Sequence, residues 1–158
     1  LILMLLCLLA GANGTPVVAK KRAGNVLGTP IDRGLRCADG QPLLGASKTV
    51  RGLLLAIVAT AVCAPLLGLD WRTGALVGSA AMAGDMLSSF VKRRMALPAS
   101  SRATGLDQIP ESLLPLLVSR QALSLTALDI GVIVGAFLIG EVLLSLVLYA
   151  WHVRDRPY

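Results

Sequence analysis

Five apolar stretches separated by polar ones organise this chain. The first, Leu1 to Ala12, contains no polar side chain and ends at Asn13-Gly14-Thr15-Pro16. It is shorter than the ~20 residues a membrane span needs. It reads as a first span cut short, since a signal-peptide core carries its basic residues in front and here Lys20, Lys21 and Arg22 lie behind. Leu1, where an initiating Met is usual, agrees with that reading. Leu53 to Leu69 is broken by little besides Thr60 and Pro65, and Thr73 to Val91 carries Gly74 and Gly78 at the GxxxG spacing that lets helices approach closely. The fourth stretch, Ile109 to Ser119, contains Pro110, Glu111 and Pro115 and rises only about 16 Å as a helix, so it extends toward Leu125, tilts or re-enters. Ile130 to Trp151 is the clearest span, with Glu141 its one charge. The pattern predicts an all-α polytopic membrane protein, one domain over 1–158, with spans near 1–13, 53–69, 73–91, 109–125 and 130–151.

Composition agrees: 55% hydrophobic residues, 15% charged and a mean hydropathy of +0.74 are too apolar for an ordinary soluble domain. The net charge of +6 is therefore read against lipid headgroups and not nucleic acid, an exclusion that the 4% aromatic content supports. Positive charge sits in the loops 17–52 and 95–108 and in a tail holding His152, Arg154 and Arg156, which places those segments in the cytoplasm and the chain in the cytoplasmic (inner) membrane. Cys7, Cys37 and Cys63 are scattered and suggest neither zinc nor a disulfide framework. A homo-oligomer is left open.

The candidate chemistry lies where Gly84-Asp85-Met86-Leu87-Ser88-Ser89-Phe90-Val91-Lys92-Arg93-Arg94 ends the third stretch. At 100° per residue Asp85, Ser88, Ser89, Lys92 and Arg93 share one side, and Met86, Leu87, Phe90 and Val91 share the other. Arg94, alone on the far side, is placed to snorkel to lipid headgroups. A carboxylate kept near a membrane usually holds a metal, a cation or a proton path. The Gly-rich approach to Lys48-Thr49 offers cations and backbone N–H groups for phosphate at a helix start, and Asp85 with Asp107 offers the one or two carboxylates Mg²⁺ takes. Gly40 to Thr49 imitates a P-loop, but two extra residues precede the Lys and no strand leads in. Glu141 reads as structural.

The motifs Pro30-Ile31-Asp32-Arg33-Gly34, Ala38-Asp39-Gly40, Leu44 to Gly52, Gly84-Asp85 with Ser89 to Arg94, and Leu106-Asp107-Gln108 together resemble the signature of the CDP-archaeol synthases, which are similar to the CDP-diacylglycerol synthases. The resemblance implies five membrane helices with an active site on the cytoplasmic face. It implies a nucleotidyltransferase that uses CTP and Mg²⁺ to turn a membrane lipid phosphate, of archaetidic or phosphatidic acid type, into a CDP-lipid and pyrophosphate. Lys48, Arg51, Lys92 and Arg93 would neutralise the crowded phosphates, and Asp85 and Asp107 would hold the metal. Asp39, Gly45, Ser47, Thr49, Ser88, Ser89 and Gln108 would line the substrates. Such chemistry needs no Ser, Cys or His nucleophile, because a phosphate monoester is already ionised at neutral pH. Two competing readings stand beside it. A CDP-alcohol phosphotransferase would need the Ala-Arg pair after Asp39-Gly40 and paired downstream aspartates. A non-enzymatic transporter or assembly protein would explain Glu141 but not the acidic and basic groups gathered on one face.

Overall fold

The computed structural model describes residues 1–23, 28–98, 101 and 103–150. Gly24, Arg102, His152, Arg154 and Arg156 lie outside the described residues, as do the side chains of Lys20, Lys21 and Arg22. Five helices follow one another: α1 (Ile2–Ala23), α2 (Val50–Leu66), α3 (Trp71–Arg94), α4 (Gln108–Ser119) and α5 (Ala127–Ala150). Among the described residues the only β pairing is two isolated bridges, Pro30 with Thr49 and Arg36 with Pro42, both within the α1–α2 loop.

Three of these helices, α1, α3 and α5, are long and apolar enough to cross a membrane, and α2 is a shorter apolar helix. Two boundaries differ from the sequence expectation. The first helix does not stop at Asn13 but runs through Pro16. Proline forfeits the backbone bond to the Ala12 carbonyl there, and the preceding Thr15 Oγ1 donates to the Gly11 carbonyl at 2.7 Å. The fourth helix ends at Ser119 and does not reach 125, so its twelve residues rise only about 18 Å. A turn closes it, with Leu125 N donating to the Arg120 carbonyl at 3.0 Å.

The burial pattern is that of a protein in lipid. Leu54, Val58, Val62 and Leu66 form an exposed row at four-residue spacing along α2, and Leu128, Val132, Ile139 and Leu143 expose one face of α5. On α3 the polar side predicted from the sequence is the buried one: Ser88, Ser89, Lys92 and Arg93 face inward while Leu87 and Phe90 face out. Water would favour the reverse. The apolar core runs through Leu5, Leu8, Leu9 and Ala12 of α1, Ala56 and Ala64 of α2, Val77 and Ala81 of α3, Leu116 of α4 and Ile133 of α5. Helix α3 is central, packing on α1, α2 and α4.

Small residues set how closely α3 is approached. A Cβ added at Gly74 would overlap the Thr60 carbonyl oxygen and lie 2.6 Å from the Ala64 Cβ. One added at Gly78 would overlap Thr60 Oγ1, so the GxxxG pair does pack α3 onto α2. Gly84 does the same for α4: a Cβ there would overlap the Pro110 carbonyl oxygen and lie 2.8 Å from the Glu111 Cα. That contact brings the start of α4 against the turn of α3 that carries Asp85.

Candidate active site

The α1–α2 loop is held by a buried carboxylate. Asp32, 4% exposed, accepts from the backbone N–H groups of Leu44 and Gly45 at 2.9 Å and of Gly34 at 3.1 Å. Burial pushes its pKa up, but these amides outweigh burial and leave it below the ordinary carboxylate value. Gly45 bends here with φ +94°, a conformation that favours glycine. The chain then passes exposed Ser47, and Lys48 forms an ion pair with Asp85 of α3. Thr49 caps α2, its hydroxyl accepting from Gly52 N at 3.2 Å, and Arg51 lies buried in the first helical turn.

Around Asp85 a small polar centre assembles inside the helices. The Glu111 carboxyl group lies beside that of Asp85, and Asn13 Nδ2 donates to Glu111 Oε2 at 2.8 Å. Four elements thus meet: Asn13 from α1, Lys48 from the loop, Asp85 from α3 and Glu111 from α4. Among the described residues no three His, Cys, Asp or Glu side chains form a metal cage. Two hard oxygen donors beside a cation do fit Mg²⁺, which usually takes one or two carboxylates and completes its shell with water and phosphate oxygens.

The second predicted carboxylate, Asp107, is held differently. It lies 2.7 Å from Lys92 Nζ and accepts from Ala103 N at 3.1 Å. Lys92 also donates to the Ser101 carbonyl at 2.8 Å, and Arg93, 3% exposed, donates to the Pro98 carbonyl at 2.7 Å. Both cations therefore fasten the α3–α4 connection. Ser88 is fully buried, donating to the Gly84 carbonyl at 2.9 Å and lying 3.5 Å from that of Asp107, and Ser89 is buried beside it. Gln108 accepts from Gly105 N at 2.8 Å, closing the turn before α4. Asp39 sits at the outer edge, accepting from Gln41 N at 3.0 Å and from Arg94 Nη1 at 2.8 Å.

The three segments expected to converge do so, through Lys48–Asp85 and Lys92–Asp107, with Gly84 on Pro110. Sequence reasoning passed over Glu111 and Asn13, although a carboxylate and an amide within apolar stretches were the signals that could have found them. It also misdirected Arg94, whose guanidinium turns to the loop and not to lipid headgroups.

Comparison with known proteins agrees with this architecture. A family model described as CarS-like, CDP-archaeol synthase, matches residues 69–158. A CDP-archaeol synthase of Sulfurisphaera tokodaii is 34% identical over 155 residues, spanning 93% of this chain and 89% of the relative. One from Hyperthermus butylicus is 41% identical over 107 residues, 62% of this chain and 59% of that one. A solved structure of an intramembrane enzyme for archaeal membrane lipids biosynthesis superimposes with a TM-score of 0.76 at 34% identity, covering 87% of this chain and 88% of that one.

Proposed function

The chain belongs to the CDP-archaeol synthase family, and from that membership we propose how its polar centre joins a cytidine nucleotide to a lipid phosphate. The enzyme is a membrane nucleotidyltransferase of lipid biosynthesis: CTP and a lipid phosphate give a CDP-lipid. The phosphotransferase and transporter readings fall with that membership. The lipid is of the archaeol type named for the relatives, with its chains in the bilayer and its phosphate at the mouth of the helices.

In the reaction a lipid phosphate oxygen forms a bond to the α-phosphorus of CTP, and the bond from that phosphorus to pyrophosphate breaks. The attacking group is already anionic, so the protein's task is alignment and neutralisation. Lys48 and Arg51, one turn apart at the start of α2, meet the nucleotide phosphates, with Thr49 and the Gly45 bend shaping the backbone around them. Asp85 and Glu111 would hold Mg²⁺, which would supply positive charge to offset that of the phosphates. What supports this pair over Asp85 with Asp107 is that the Glu111 carboxyl group lies beside that of Asp85, while the Asp107 carboxylate is engaged by Lys92 and Ala103 N. Lys92 and Arg93 act by holding the connection that carries Asp107 and Gln108. The basic α1–α2 loop puts this face in the cytoplasm.

The observation that carries the mechanism is the meeting of Lys48, Asp85 and Glu111 on three different elements. Purified protein incubated with CTP, Mg²⁺ and a panel of isoprenoid-ether and diacyl phosphates, with products identified by mass, tests it. A CDP-lipid formed from the ether lipid is expected. Failure to consume CTP with any of the lipids would sink the reading.

A further inference from the structure

Arg94 ends α3, and its contacts lie on the α1–α2 loop as well as on its own helix. Nη1 donates to Asp39 Oδ1 at 2.8 Å, and Nη2 donates to the carbonyl of Pro42 at 2.7 Å and more loosely to that of Gln41 at 3.4 Å. Its charge sits 5.2 Å from the centre of the Phe90 ring, which fixes the guanidinium from behind. The turn it grips is a built structure. Arg36 bridges Pro42, Leu43 N donates to the Leu35 carbonyl at 2.8 Å, and Cys37 N donates to that of Gln41 at 2.9 Å.

Six residues beyond Pro42 the same loop delivers Lys48 to Asp85. The loop is therefore fastened to one helix at two points, on α3 residues nine positions and about 13 Å apart. The two fastenings differ in kind. Lys48 and Asp85 are both needed elsewhere once substrates arrive, one by phosphate and the other by metal, so the inner fastening parts on loading. Arg94 is bound to backbone carbonyls and to Asp39, none of which the reaction consumes. A planar guanidinium suits this, because it donates in several fixed directions at once where an ammonium cannot.

We propose that Arg94 is a positioning residue: it straps the nucleotide-facing loop to α3 while Lys48 exchanges Asp85 for a nucleotide phosphate, and so sets CTP affinity without touching CTP. The inference rests on Lys48 as a phosphate-binding residue.

The test uses the full chain in lipid nanodiscs, comparing wild type with Arg94→Gln, Arg94→Lys and Asp39→Asn. Amide hydrogen exchange over residues 35–45 reads the strap without nucleotide, and steady-state kinetics reads its consequence. In Arg94→Gln the loop should exchange faster while α5 is unchanged, and the KM for CTP should rise about tenfold or more, with kcat changing far less. Arg94→Lys should recover part of both effects. Asp39→Asn, altered at a side chain 43% exposed, should show the faster loop exchange in milder form, and that exchange, not its KM, decides the matter if Arg94→Gln fails to fold, since Asp39 is also expected to line the substrates. Wild-type loop exchange in the variants, or a fall in kcat at unchanged KM, would overturn the proposal. The exchange measurement needs no turnover, so it stands apart from the failure of the cytidylyl-transfer reading.

Discussion

Asn13 and Glu111 stand 98 positions apart in the chain and are joined by a 2.8 Å hydrogen bond from Nδ2 to Oε2. The bond fixes one oxygen of a carboxyl group whose other partner is Asp85. Asn13→Ala should loosen Glu111 without emptying the core. The lost bond to this carboxyl group predicts about a tenfold fall in activity, partly recovered at higher Mg²⁺. A metal titration of CDP-lipid formation checks this, and an unchanged curve would show that Asn13 has no bearing on Glu111.

Removing either member of the Lys48–Asp85 pair should disable chemistry more than folding, since both side chains are part-exposed at 18% and 22%. For Lys48→Met and Asp85→Asn the expected loss is about 2.7–4 kcal/mol of transition-state stabilisation, a hundredfold or more. Single-turnover rates alongside thermal melts test it. Wild-type turnover by both variants would remove the basis of the proposed mechanism.

Lys92→Met should behave differently. Its side chain is 9% exposed and pairs with Asp107, 18% exposed, so its loss leaves a half-buried carboxylate unpaired at a cost of up to about 3 kcal/mol. The variant should melt well below Lys48→Met, and Lys92→Met combined with Asp107→Leu should regain stability without regaining activity.

Gly84→Ala should separate α4 from α3, because the new methyl would meet backbone atoms of Pro110 and not a movable side chain. Activity should be lost with Asp85, Lys48 and Glu111 all intact. A cross-link between cysteines placed at Ala83 and Ile109 in a cysteine-free background would report the altered spacing.

Asp32 has a folded pKa below its ordinary 3.8, so its contribution is present above that value and is lost as pH falls through the lower folded pKa. Asp32→Asn should therefore be less stable than wild type at neutral pH, and the gap should close in acid. Melting curves from neutral to acid pH measure this; a constant gap would mean the carboxylate charge is not what holds Leu44 and Gly45.

The apolar runs by themselves determined that this is a helical membrane protein, because lipid demands helices whose backbone bonds are satisfied internally. The polar stripe on α3 was equally legible, since residue type and helical period fix it. Which carboxylates meet was not, because it depends on contact between distant elements. Gly84 lets the start of α4 approach α3 so that Glu111 comes beside Asp85, while Asp107 pairs with Lys92. The passage of α1 through Pro16, against which a Cβ added at Gly52 would lie 3.3 Å from the proline Cβ, was likewise decided by packing. For Arg94 the helical wheel gave the right face and the wrong partner: periodicity says which way a side chain leaves its helix, and only the tertiary structure says what waits there.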